Sequence, residues 1–226
     1  MTLRDVLLLG HILVFGIWLG TDIATFLISR KVLDRTIDLT SRGALAGAMT
    51  GIEVIARLCL PTMLALGVAL AVDNGLIDLP RWLVGGVFVP TVVWLGLIWK
   101  VHISSGDAEL ASALAMVDLV VRSAVCLTLW AVSIVSLAGD AGPIYAPYLA
   151  AKALLFAVIM TSGIAIRFAL RPFAAAFGAL VTNGSTDERE RRLSSSLRVA
   201  QPLVGVIWLC LVGASLLAVV KALPWQ

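Results

Sequence analysis

Six apolar stretches fill this chain of 226 residues, and several carry an ionisable side chain well inside. A run of about 20 apolar residues crosses roughly 30 Å of hydrocarbon as a helix rising about 1.5 Å per residue. Lipid offers the backbone no hydrogen-bond partner, so only self-satisfied structures span it. A charge within such a run is costly unless it is paired or wet, which makes it a candidate functional residue. The chain is therefore expected to form an all-α polytopic membrane bundle with a polar interior. Composition excludes soluble and disordered classes. Hydrophobic residues make up 60% and charged residues 14%, against about 45–50% and about 25% in soluble domains. Mean hydropathy is +1.02.

The expected spans are about 6–29, 54–73, 82–102, 115–138, 145–168 and 201–222, forming one domain over 1–226. The first is too long for a signal-peptide core. Pro61 falls inside the second, where neighbouring helices can re-satisfy the backbone. Asp73-Asn74-Gly75 and Gly139-Asp140-Ala141-Gly142-Pro143 read as turns. Segment 172–200 reads as a loop in which Thr186 caps a polar helix, and Asp187–Arg192 reads as a solvated, self-paired charge run.

Loop charges set the orientation. Arg30, Lys31, Arg35, Arg42, Lys100, Arg167, Arg171, Arg189, Arg191, Arg192 and Arg198 fall on one side, and only Arg4, Arg81 and Lys221 on the other. The positive-inside rule then places the odd-numbered loops in the cytoplasm and both termini outside. Trp82, Tyr145, Tyr148 and Trp225 form an aromatic belt near the outer boundary. The net charge of +3 thus serves orientation. The expected partner is the lipid bilayer, with no nucleic acid. Cys59, Cys126 and Cys210 lie in separate apolar runs without C-x-x-C spacing, so neither a disulfide framework nor a zinc site is expected.

Two groups of ionisable residues lie within the spans. Toward the outer face, His11, Trp18 and Asp22 share one face of the first helix, and His11 is about 9 Å deep. Lys152 enters the fifth span to a similar depth, with Tyr148 at i−4. An unpaired lysine there costs about 2.5–3.5 kcal/mol. His11, Lys152, Trp18 and Tyr148 are therefore expected to face one outer cavity. His11 serves either as a metal ligand or as a hydrogen-bonded structural histidine. Lys152 serves either as a cofactor partner or as a snorkelling lysine. His102 sits at the opposite boundary and reads as interfacial.

Toward the cytoplasm lies a polar layer of Asp22, Glu53, Arg57, Asp118 and Arg122. Glu53-x-x-x-Arg57 and Asp118-x-x-x-Arg122 each set acid four residues before base, where helix pairs form. Trp18-Leu19-Gly20 is echoed by Trp94-Leu95-Gly96, and Arg57-x-x-x-Pro61 by Arg198-x-x-x-Pro202, which hints at three repeated hairpins. The layer reads either as structural ion pairs or as a proton path or anion site. Nucleophile elbows, phosphate loops and zincin helices are absent, so the residues name no enzyme class.

Leu9-Gly10-His11-Ile12 with Ile17-Trp18-Leu19-Gly20 resembles the first-helix His…Trp-x-Gly pattern of copper-resistance-D-type membrane domains. Tyr148–Leu155, with Lys152, resembles a later helix of the same superfamily, which includes the J-type haem-binding protoporphyrinogen oxidases. The resemblance implies a bacterial inner-membrane protein binding b-type haem through His11, with Lys152 as the later-helix lysine and a redox role. The methionine- and histidine-rich features of copper handling are absent. Two other readings stay open. One is a transporter whose substrate meets the polar layer. The other is a non-catalytic subunit of a membrane complex or homo-oligomer, docking through Gly16-x-x-x-Gly20. The orientation predicts that cysteines introduced at 36–40 and at 185–188 are labelled only from the cytoplasmic side. Labelling of both from outside intact cells would overturn it.

Overall fold

The computed structural model describes residues 1–77, 79–139 and 142–221. Trp225, residue 222 and the Asp140-Ala141 pair of the expected turn lie outside the described residues. The chain is all-α: α1 (Leu3–Val32), α2 (Leu39–Asp73), α3 (Leu83–Gly86), α4 (Phe88–Ile103), a 3-10 turn Ser104–Gly106, α5 (Ala108–Ala138), α6 (Pro147–Ala169), α7 (Arg171–Asn183) and α8 (Asp187–Lys221). Six helical runs are long and apolar enough to cross a membrane, with α3 and α4 together forming the third.

The packing order is a ring. α1 lies on α2, α2 on α4, α4 on α5, α5 on α6, α6 on α8, and α8 closes onto α1. Short connections make neighbours antiparallel. Large apolar side chains such as Leu13, Val93, Leu127 and Leu209 stay exposed on the outside, as suits a wall facing lipid. A core of Trp18, Leu60, Met63, Trp94, Met160 and Ile207 fills the middle. A smaller cluster of Leu7, Leu66 and Ala69 fills the half nearer the termini.

Local chemistry explains the boundaries. Thr2 and Asp5 form a capping box at the start of α1. Asp38 caps α2 by accepting from Ser41 N at 2.9 Å, and the hydrogen bonds from Ser41 hold its carboxyl below the usual range. Gly75, at φ +65°, ends α2, with Leu76 N donating to Ala71 O and Gly75 N to Val72 O. That is the left-handed stop that glycine takes without strain. The break between α3 and α4 was not foreseen in span 82–102. Pro90 has no N–H for Gly86 O and its ring crowds that carbonyl, so the helix parts at Val87. On the side of the termini, the Ile77–Ile144 bridge and Tyr145 N donating to Leu76 O at 3.0 Å tie two loops together.

The helix that contains 54–73 begins at Leu39, and segment 172–200 holds most of α7 and the first turns of α8. α2 and α8 each have 35 residues, or about 52 Å, far more than about 30 Å of hydrocarbon. Their extensions project on the side rich in basic residues. Asp187–Arg192 is also not purely self-paired. Arg192 does meet Glu188 at 2.6 Å. Glu190, however, takes both Arg42 Nη1 at 2.7 Å and Nη2 at 2.9 Å, while Arg42 Nε donates to Val32 O at 2.7 Å. Both side chains are 2% exposed. This clamp joins the end of α1, the start of α2 and the start of α8. Gly16 and Gly20, by contrast, meet no other helix, because no described part of the chain lies within 4 Å of a Cβ built on either.

Removing one partner of a buried pair strands the other charge. Arg42→Ala should therefore lower stability by about 3–5 kcal/mol, read from unfolding in detergent micelles. Replacing Arg42 and Glu190 together by apolar residues should restore most of the loss, because no unpaired charge then remains.

Candidate functional site

A half-open cavity of about 170 Å³ lies between the helices of the ring. Helices α1, α2, α5, α6 and α8 line it, each with residues of one face. α1 contributes Trp18, Asp22, Thr25, Phe26 and Ser29, and α2 contributes Met49, Glu53, Ala56, Arg57 and Leu60. The offsets are the same in both, as expected when each helix presents one face. α5 adds Asp118 and Arg122, α6 adds Ile159, Gly163, Ile166 and Arg167 with Leu170 at its C-terminal end, and α8 adds Leu197, Gln201 and Val204 among others. All five members of the sequence-predicted polar layer line this one space.

The charges form an ordered network. Arg57 donates to Glu53 through Nη2 at 2.6 Å and Nε at 3.1 Å. Asp118 is the hub. It accepts from Trp94 Nε1 at 2.9 Å, from Arg122 Nη2 at 3.3 Å and from Arg167 Nη1 at 2.9 Å. Arg167 Nη2 also holds Ala115 O at 2.7 Å, and the Arg122 guanidinium lies 5.8 Å from the Trp94 ring centroid. α4 lends no lining residue, yet its Trp94 fixes the carboxylate from behind. Arg57 and Arg167 both lie near enough to Arg122 to repel it. Asp22 has Glu53 as its charged neighbour, and makes no hydrogen bond or ion pair among the described residues. One turn away, Thr25 Oγ1 is buried without a partner among the described residues.

In the outer group, Lys152 lies near enough to His11 to act on it electrostatically. Among the described residues His11 Nδ1 is buried without a hydrogen-bond partner, and its ring stands against Gly67. Trp18 lies seven residues, or about 10 Å, further along the helix, where it lines the polar cavity and meets Phe156 edge-on at 5.9 Å. His11, Lys152 and Tyr148 are not among the lining residues. His102 lies at the far end of α4 beside Trp99.

Sequence reasoning assigned Arg167 to a loop and passed over Gln201. The signal for Arg167 was its spacing from Gly163, since positions four apart share a face. The fold and cavity define a multi-pass membrane protein with six spanning helices around a buried polar site. Comparison with family models, curated proteins and solved structures finds no match to the chain.

The network makes a ranked prediction. Asp118→Ala strands Arg122, whose side chain is 9% exposed, and should cost about 3–5 kcal/mol. Trp94→Phe removes one hydrogen bond to a charged acceptor and should cost about 1.5–3 kcal/mol. Glu53→Ala breaks a pair whose side chains are 42% and 32% exposed, and should cost about 0–1 kcal/mol. Unfolding of the three variants in micelles reads the order, and equal losses would contradict the hub.

Proposed function

We propose that this protein binds a small polar solute in the ring cavity and passes it through the membrane, with the basic loops facing the cytoplasm of a bacterial inner membrane. The observation that carries this reading is the gathering of six ionisable side chains from four helices around one space within the spans. Charges in hydrocarbon are tolerated where they pair or line a wet cavity, and such places mark solute paths. A purely structural network has no need of a void beside it. Pro61 and Pro202 interrupt the hydrogen-bond ladders of α2 and α8 next to the lining residues. Interrupted helices beside a central site suit a transporter. The volume sets a scale. An engineered cavity of about 150 Å³ holds one benzene, so the solute has on the order of six heavy atoms.

A second reading keeps b-type haem and a redox role, and rests on the orphaned Nδ1 of His11 beside Lys152. The cavity lies away from His11 and is smaller than the roughly 300–1,000 Å³ of sites for larger ligands.

Water access separates the readings. A Cβ at Gly163 meets nothing within 4 Å, so Gly163→Cys places a thiol in the cavity without a clash. With Cys59, Cys126 and Cys210 replaced by alanine, a hydrophilic thiol reagent should modify it at least about tenfold faster than Leu127→Cys, since thiolate forms in water and not in lipid. Leu127 is 69% exposed on the outer wall. Equal protection of both sites would defeat the passage reading. A Soret band lost in His11→Ala would favour haem, and a colourless protein from haem-replete cells would defeat it.

A further inference from the structure

The three acids and three arginines around the cavity balance in number, but their placement is uneven in a way that names a ligand. Glu53 and Arg57 cancel as a pair. Asp118 is shared between Arg122 and Arg167, so that triad carries a surplus of one positive charge. Asp22 is the remaining acid, and it stands beside Glu53 instead of beside the surplus. The charged groups lining the cavity with Asp22 are Glu53 and Arg57 on α2, Asp118 and Arg122 on α5, and Arg167 on α6, and the Cys59 thiol on α2 lies near Asp22 outside the lining. The lining residues of α8 are uncharged.

A site inside the membrane favours electroneutrality, because a net charge in low dielectric is costly. Two simple states of this cavity are neutral. In one it is empty and Asp22 is ionised. In the other Asp22 is protonated and a monovalent anion sits by the arginines. Resting on the solute-passage reading above, we propose that the cavity binds a small organic carboxylate together with one proton, the anion by Arg57, Arg122 and Arg167 and the proton on Asp22. Guanidinium forks match a carboxylate two bonds at a time. Trp18, Phe26, Leu60, Ile159 and Ile207 supply an apolar wall for an organic body. A protonated Asp22 leaves the triad surplus to the anion, and the anion makes a second negative charge at Asp22 unfavourable. Each ligand therefore tightens the other by the same factor. Co-binding of this kind is what proton-driven movement of the anion requires.

Isothermal titration calorimetry tests this on the detergent-solubilised protein with butyrate, lactate and benzoate, and with propylammonium as the cationic control. Runs in two buffers of different ionisation enthalpy count protons per ligand. The expected result is uptake of about one proton per anion, with affinity rising by up to about tenfold per unit of acidification. Asp22→Asn should keep anion binding, lose the proton uptake and flatten the pH dependence. Arg57→Gln should weaken the anion at least about tenfold by removing a charge-assisted donor. Anion binding without proton uptake in the parent protein would overturn the inference. An unchanged proton count in Asp22→Asn would also overturn it, since the ligand would then enter as its neutral acid. Preference for propylammonium, or no binding of any probe while Gly163→Cys reacts as a wet site, would sink the carboxylate and leave solute passage standing. An unreactive Gly163→Cys would remove both.

Discussion

Hydrocarbon cannot solvate a charge, and the carboxylate of Asp118 is where this chain meets that constraint. Its oxygens take Trp94 from α4, Arg122 from its own helix and Arg167 from α6. One acid thereby ties three consecutive members of the ring and leaves two guanidinium groups facing inward. Hydrogen bonding to both oxygens is what makes such a carboxylate tolerable away from water. The Glu53–Arg57 pair on the opposite wall is shorter, at 2.6 Å, but more exposed.

A second anchor works outside the hydrocarbon. The Arg42–Glu190 clamp holds the projecting ends of α2 and α8 together and takes in the last turn of α1 through Val32 O. Ser185 also donates to Glu190 at 2.9 Å, which pins the α7–α8 turn. α1, α2 and α8 are thereby fixed where the ring closes, since α8 is the last helix and α1 the first. The cavity reaches from Trp18 to Ser29 on α1, so its cytoplasm-facing end, in the proposed orientation, lies beneath this clamp.

The two unfilled features have different standing. The face of Gly16 and Gly20 is open within the chain, and nothing in the fold shows what covers it. His11 feels the charge of Lys152, and neither is among the residues lining the cavity. His11, Trp18 and Asp22 share one stripe of the first helix, and because a stripe runs the full length of a helix, shared phase alone does not bring them to one place.

The sequence by itself determined the six spans, because hydrocarbon length and backbone satisfaction admit few alternatives for runs this apolar. It also determined the two i,i+4 ion pairs, because helical spacing alone brings Glu53 to Arg57 and Asp118 to Arg122. The Gly75 stop was legible for the same local reason. Pairing between helices was not. Arg167 and Arg42 read as orienting loop charges, and only the packing of α6 against α5, and of α2 near α8, turned them toward Asp118 and Glu190. Trp94 reached Asp118 only through the contact of α4 with α5. No periodicity along one chain segment specifies which faces of distant helices meet. The tertiary structure decided that, and with it the charge surplus that gives the cavity its proposed ligand.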